Sequence, residues 1–431
     1  MKGINIGLIG LGTVGTGVVK ILKEKRKILE EKIGMPIILK KICDKDISRK
    51  RGLSLDKKLL TTDYREIVHD PQIDVVVELI GGIHPAKEYI MEALKNGKHI
   101  VTANKALLAE EGKEIFSFAY QHQRYVYFEA SVGAGIPIIK SIREGLVANR
   151  FLSIRGILNG TTNFILTRMS EENVTFKDAL KEAKDKGYAE KDPSLDIEGM
   201  DSAHKLILLT YLCYGKLFNL KDIFVEGISQ ILPLDLVYAK EMGLSIKLLA
   251  IAKKLNEELE IRVHPTLIPQ EHLLSSVRGI FNAIYISGDL VGDLIFYGQG
   301  AGQMSAGSAV VSDLIDLAQH IKAGLFRPSM QILEDKSIKR LRSIDEIESR
   351  YYIRFMAIDK PGVLAKISGL LGKYQISIAS VTQKERRKQK VVPIVMVTHE
   401  AKERNLREAL HRISLLDVVK EKPTAIRIEE L

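Results

Sequence analysis

The stretch that most limits what this chain can fold into is Gly10-Leu11-Gly12-Thr13-Val14-Gly15. It follows "INIGLIG" (4–10), which reads as a short buried strand. It opens "TGVVKILKEKRKIL" (16–29), whose apolar residues recur at helical spacing. A G-x-G-x-x-G alone is a weak pattern. Between a strand and a helix it meets the needs of a dinucleotide site: the turn is tight, and the backbone can approach a pyrophosphate at the helix's amide end.

A second strand, "PIILKKICDKD" (36–46), carries Asp44 near its end, somewhat later than usual for the acid that contacts a ribose. Arg49, Lys50 and Arg51 follow and can neutralise a 2′-phosphate, so NAD(H) stays possible while NADP(H) is favoured. The basic excess is local. Residues 20–58 hold fourteen Lys or Arg against six Asp or Glu, a net +8 of the chain's +10. With no tryptophan and no basic tract interleaved with aromatics, nucleic acid is a weak explanation. A solvated face and a phosphate-bearing ligand explain the surplus equally well.

Strand and helix go on alternating: "IDVVVELIGG" (73–82) as strand, "PAKEYIMEALKNG" (85–97) as helix, "HIVTANKALLA" (99–109) as strand and loop. This is the pattern of a doubly wound parallel sheet, whose ligands lie beyond the carboxyl ends of the strands. Glu78 to Gly82 and Thr102 to Lys105 fall there. Lys105 is thereby a candidate to reach nicotinamide or substrate, against the plainer reading of a loop lysine.

"YVYFEASVGAGIPIIKSIREGL" (125–146) and "GILNGTTNFIL" (156–166) each read as a strand followed by a glycine-broken loop. Such loops suit a small polar ligand or a monovalent cation held by carbonyls, or they are simply turns. In "DIEGMDSAHKLILL" (196–209), Asp201 and Lys205 stand one helical turn apart at the mouth of an apolar helix. Such a pair is ordinarily a surface salt bridge. Here Glu190 and Asp196 lie close by in sequence, so a loop and the following helix can line one cleft with both signs of charge. The acids suit a substrate ammonium; Lys205, steadied by Asp201, suits a carbonyl that must be polarised and protonated. His204 reads as a packing histidine. Cys43 and Cys213 lie in apolar runs, which argues for reduced, buried thiols and against a thiol-dependent aldehyde oxidation.

After a charged connector (326–350), "YYIRFMAIDKPGVLAKISGLLGKYQISIASVTQ" (351–383) reads as strand, turn, helix and strand. "KVVPIVMVTHE", "NLREALHRISLL" and "PTAIRIEE" add strand, helix and strand. The order β-α-β-β-α-β is ferredoxin-like. "KERRKQK" (384–390) reads as a solvated hairpin loop.

Taken together, "GLGTVG", "VTANKALLA", "EASVGAGIPII", "GILNGTTNFIL" and "GYAEKDPSLDIEGMDSAHKLILL" resemble the monofunctional homoserine dehydrogenases with a C-terminal ACT domain, over nearly the whole chain. The D-x-P-G-V-L at 359–364 resembles an ACT domain, which usually binds a pathway product. The resemblance implies reduction of aspartate 4-semialdehyde to homoserine with NADPH or NADH, in threonine, methionine and isoleucine biosynthesis. It places the proton donor on Lys205, with Asp201 beside it, and a cofactor- and substrate-facing lysine on Lys105. Substrate contacts fall on Gly160, Thr161, Tyr188, Glu190, Asp196 and Asp201. Cofactor positions fall on Leu11, Thr13, Val14, Gly187 and Gly302, and a sodium ion is implied at Glu129, Val132, Ala134 and Ile136, mainly through carbonyls. Where the family usually has a proline-threonine pair, this chain reads "GQGAGQMSAGSAVVSDL" (298–314), which puts the loop at Met304–Ser308 in question.

The expected fold is α/β: a Rossmann-type domain over 1–130, completed by a returning helix near 303–322, and an α+β catalytic and dimerisation domain over 131–325. A linker over 326–349 and a ferredoxin-like ACT domain over 350–431 complete it. No apolar run approaches the roughly 20 residues of a bilayer span and no cleavage site closes a signal peptide, so a cytoplasmic protein without membrane contact is expected. A homo-oligomer, dimer or tetramer, and threonine as effector are further expectations. From its length, a monofunctional form without a preceding kinase domain is expected. Two other readings stay open: a different nicotinamide oxidoreductase of amino-acid aldehydes or alcohols, and a non-catalytic amino-acid sensor on this scaffold.

Overall fold

In the computed structural model the residues described are 3–324, 334–384 and 390–430. The first third of the expected linker and the core of "KERRKQK" therefore lie outside the described residues. Contacts divide the chain into two compact units. One comprises Met1–Ile154, Asp201–Ile223 and Phe281–Lys336; the other comprises Arg155–Met200, Phe224–Ile280 and Ser337–Leu431. No helix among the described residues is long and apolar enough to cross a membrane.

The first unit is built on six parallel strands: β1 (Ile4–Ile9), β2 (Ile37–Cys43), β3 (Leu60–Thr61), β4 (Val75–Glu78), β5 (His99–Thr102) and β6 (Val126–Tyr127). Their order is β3-β2-β1-β4-β5-β6, so the winding reverses between β1 and β4. That reversal opens a crevice at the strands' carboxyl ends. Helices cover both faces, which is why β4 reads as an unbroken apolar run in which Val75, Val76 and Val77 are fully buried.

The helix after the glycine turn, α1, runs Thr13–Glu24, and a second short helix, Arg26–Ile33, follows a break at Lys25. The sequence pattern had suggested one helix there. Four of the five residues 23–27 are basic, and like charges at adjacent turns weaken a continuous helix. The returning helix, Gln303–Ala323, lies against α1. The two touch backbone to backbone: a Cβ at Gly17 would sit 2.0 Å from the Gln303 carbonyl oxygen, so only glycine fits there. Val310, Leu314 and Leu317 join Ile6, Leu8 and Val18 in one apolar cluster. Met304–Ser308, the segment in question, forms the first turns of this helix.

"KALLA", read as loop, opens a 17-residue helix, Lys105–Gln121. The Asn104 side chain accepts from Leu107 N (3.2 Å) and so replaces the missing helical partner. "TTNFIL" is likewise helical, within Gly160–Glu172, with Asn159 Oδ1 accepting from Thr162 N (2.8 Å).

In the second unit two long strands, Leu244–Leu255 and Glu258–Pro269, pair antiparallel. Thr424–Ile428 joins the second of them in parallel through Thr266 and Leu267. Glu348–Ile358, Val391–Thr398 and Ile378–Thr382 follow, each antiparallel to its neighbour. With the helices Val363–Lys373 and Glu403–Ser414 this is the ferredoxin-like arrangement expected from 351 onward. Its core is Tyr351, Phe355, Ile367, Leu371, Met396, Leu406 and Ile413.

Candidate active site

The glycine turn is held from outside. Gly10 adopts φ +104°, and a Cβ there would lie 2.7 Å from the Leu79 carbonyl; one at Gly15 would lie 2.1 Å from the Gly10 oxygen. A Cβ at Gly12 would meet no protein atom within 4 Å, so this position faces open space and leaves room for a ligand against the backbone. Thr13 is exposed and Val14 half-buried beside it, while Leu11 is buried. Leu11 N donates to Asp44 Oδ2 (2.6 Å), and Arg51 donates to Asp44 Oδ1 (2.9 Å) and to the Leu11 carbonyl (2.6 Å). Of the three neighbouring cations, Arg51 is the one tied into the turn. Arg49 and Lys50 are exposed. Gly302, with φ +139°, caps the returning helix in the same unit, whereas Gly187, with φ +72°, is an exposed position of the other unit.

At the crevice a chain of hydrogen bonds sets the start of the Lys105–Gln121 helix. Glu78, fully buried at the end of β4, accepts from Ile80 N (2.8 Å) and from the Thr102 hydroxyl (2.6 Å). Thr102 Oγ1 accepts from Asn104 N (3.0 Å), and Asn104 Nδ2 donates to the Gly82 carbonyl (2.6 Å). Burial pushes the Glu78 carboxyl above its ordinary pKa, against these bonds. Sequence reasoning noted these strand ends but gave Glu78 and Asn104 no role. The cue available was an Asn standing two residues past a strand and directly before an apolar-periodic run.

Lys105 is therefore the first residue of a helix whose origin is fixed, and its Nζ lies 3.0 Å from Asp201 Oδ1. The other oxygen, Oδ2, accepts from Lys205 Nζ at 2.7 Å. One carboxylate thus bridges two ammonium groups. Asp201 and Lys205 are each only 7% exposed, because the Met200–Tyr214 helix carrying them is buried along almost its whole length. This is no surface pair. A buried ammonium held by a carboxylate can donate a hydrogen bond, and then a proton, to an oxygen that gains negative charge. His204 points elsewhere: its Nε2 lies 3.4 Å from Glu110 Oε1, and burial lowers its pKa, as suits a packed neutral ring. Neither thiol is activated, since burial raises Cys43 to about 11 and Cys213 well above its usual value.

In the second unit, Gly160 opens the Gly160–Glu172 helix against the chain at Ile280, where a Cβ would lie 2.6 Å from the carbonyl oxygen. The Thr161 hydroxyl donates to the Tyr188 carbonyl (2.5 Å), and the Tyr188 ring meets Phe164 edge-on at 5.1 Å. Asn159 Nδ2 donates to Asp196 Oδ1 (2.7 Å). Gly160, Thr161, Tyr188 and Asp196 are thereby gathered at one helix start, while Glu190 stands exposed two residues beyond Tyr188.

Glu129, Val132, Ala134 and Ile136 are all buried within one tight turn of the first unit. Gly133 and Ala134 both take positive φ, +70° and +43°, which reverses the chain and redirects its carbonyls. The Glu129 carboxylate itself accepts from Ile139 N and Lys140 N (2.9 and 2.8 Å), and burial raises its pKa to about 7. A cation at this turn would be held by backbone oxygens, the donor type suited to sodium.

Residues 10–129 match the homoserine dehydrogenase NAD-binding domain family, 137–315 the homoserine dehydrogenase family, and 351–414 the ACT domain family. The chain is 43% identical to the homoserine dehydrogenase of Neisseria gonorrhoeae over 434 residues, covering 100% of each. It is similar to the crystal structure of a homoserine dehydrogenase from Thiobacillus denitrificans, with TM-score 0.92, 41% identity and 100% of each chain covered. A hyperthermophilic archaeal homoserine dehydrogenase solved in complex with NADPH aligns with 73% of this chain and 97% of its own, with TM-score 0.63 and 29% identity.

Proposed function

This chain belongs to the homoserine dehydrogenase family, and on that premise we propose how its own residues carry out the reduction of aspartate 4-semialdehyde to homoserine. Full-length similarity at this level leaves no support for the sensor reading or for a different oxidoreductase. Bound NAD(P)H supplies the hydride. Lys205 polarises the aldehyde oxygen and gives it a proton, Asp201 keeps the ammonium oriented and charged, and Lys105 holds the opposite carboxylate oxygen. The observation that carries this reading is the single carboxylate bridging Lys105 and Lys205.

Gly160, Thr161, Tyr188, Glu190 and Asp196 bind the substrate's amino-acid end, the acids receiving its ammonium group. Gly10 to Gly15, Asp44, Gly187 and Gly302 bind the cofactor; the bare face at Gly12 fits a dinucleotide backbone. Sodium at Glu129, Val132, Ala134 and Ile136 would stiffen the turn. Threonine at the ACT domain lowers activity in a cytoplasmic homo-oligomer, and the proposed domains run 1–130, 131–325 and 350–431.

NADP(H) is favoured because Arg49 and Lys50 are exposed beyond an Asp44 already neutralised by Arg51. A charge-assisted hydrogen bond to phosphate contributes about 1.5–3 kcal/mol, roughly tenfold or more in binding. The double variant Arg49→Ala/Lys50→Ala should therefore raise KM for NADPH by about tenfold and leave KM for NADH nearly unchanged. Equal effects on both cofactors would reject the assignment. The function as a whole is tested by steady-state assay of the purified protein with aspartate 4-semialdehyde, each cofactor in turn, with and without threonine. Turnover with NADPH that threonine lowers is the expected outcome.

A further inference from the structure

The strand Leu244–Leu255 carries, within an apolar run, one lysine that the reaction does not use. Lys247 is 6% exposed. Its Nζ donates to the Val277 carbonyl and to Asn163 Oδ1 (3.3 Å), both neutral oxygens. Among the described residues it makes no ion pair with a carboxylate, so a buried ammonium stands without a counter-charge in contact. Such an arrangement costs stability unless the amine loses its proton or an anion arrives.

There is room for the anion. Lys247 lines a cavity of about 330 Å³ in the second unit, between the Gly160–Glu172 helix, the Pro233–Glu241 helix and the 270–278 segment. Lys240 and Arg278 also line it, against one acid, Glu171, which is engaged by Arg278 at 3.1 Å. Leu166, Leu236 and Leu244 add an apolar patch to a wall whose other groups, Thr167, Ser245 and Gln270 among them, are hydroxyls and amides. A cationic floor beside branched apolar side chains, at the lower end of small-molecule pocket sizes, selects a carboxylate on a short hydrocarbon stem.

We propose that this cavity is a binding site for a small organic carboxylate, with Lys247 as its buried counter-charge. Burial, with Arg278 adding repulsion and Glu171 partly opposing it, lowers the Lys247 pKa to about 8. Binding of the anion then recruits a proton. Affinity should accordingly be constant below pH 8 and fall toward tenfold per unit above it.

The probe is sodium isovalerate, added to the full-length protein against sodium chloride at equal ionic strength. A saturable rise in melting temperature at millimolar isovalerate is expected, absent in Lys247→Met. Methionine fills the same volume without a charge, so this variant should fold. Independently of any variant, calorimetric titration of the wild-type protein at pH 9, in buffers of differing ionisation enthalpy, should show uptake of nearly one proton per isovalerate bound. An equal melting shift in both proteins, no saturation by 100 mM, or binding without proton uptake at pH 9 would each overturn the proposal.

Discussion

Replacing Lys205 by alanine should lower kcat for semialdehyde reduction by about a hundredfold or more, the size expected for loss of a positioned general acid. Cofactor affinity should stay as it is. The variant separates chemistry from folding because Asp201 keeps Lys105 at 3.0 Å after Lys205 is gone, so no buried carboxylate is stranded. Alanine is also the best helix former and suits the interior of the Met200–Tyr214 helix. Lys205→Arg sharpens the test. A guanidinium keeps the positive charge but does not give up a proton at working pH. If proton donation is the main contribution, arginine restores little. If charge alone stabilises the developing alkoxide, arginine restores most of the rate, and Lys205 is an electrostatic rather than an acid catalyst. Steady-state kinetics with fluorescence titration of NADPH reads both quantities. Turnover within a fewfold of wild type in the alanine variant would sink the assignment.

That pair was visible in the sequence because one helical turn is a local rule: i and i+4 share a face wherever the helix lies. The glycine turn was visible for a similar reason, since strand, turn and helix are consecutive and each glycine answers a local steric demand. The ferredoxin-like order of the last segment followed from six well-patterned elements. What escaped depended on contacts distant in sequence, or on a cap hidden in a polar stretch. Asn159 opens the polar run Asn-Gly-Thr-Thr-Asn and Asn104 closes Val-Thr-Ala-Asn at a strand end, so both positions read as loop, while one side-chain bond to a backbone amide starts a helix in each case. Among Arg49, Lys50 and Arg51, composition could not choose. The choice is made by the path of the loop, which turns Arg51 back onto Leu11, forty residues earlier. Lys247 was passed over because a lone lysine in a strand usually faces water; here both faces are covered.

The same dependence on distant contacts makes Asp235 the position where one substitution should cost most stability. Asp235 is fully buried near the start of the Pro233–Glu241 helix, and its carboxylate has three partners. Oδ2 accepts from Leu232 N (2.9 Å), closing the helix's first turn; Oδ1 accepts from Arg354 Nε (2.7 Å) and the Tyr352 hydroxyl (2.8 Å), more than a hundred residues away. Arg354 is 3% exposed, and its Nη2 donates to the Thr424 hydroxyl, a neutral group. Asp235→Ala therefore leaves a guanidinium buried without its counter-charge, a change that costs about 3–5 kcal/mol where such pairs have been broken. At roughly 2–4 °C per kcal/mol for a unit of this size, the associated melting transition should fall by about 10 °C. Removing both charges, as Asp235→Leu/Arg354→Met, should recover much of the loss, because the penalty lies in the unpaired ion and not in the missing attraction. Hydrogen exchange resolved by peptide locates the effect. Protection should drop in Glu348–Ile358 and Thr424–Ile428, the strands that carry Arg354 and its threonine partner. A melting temperature within a degree of wild type, or a double variant as unstable as Asp235→Ala, would show that water reaches Arg354 and that the ion pair is not what ties this helix to the ferredoxin-like sheet.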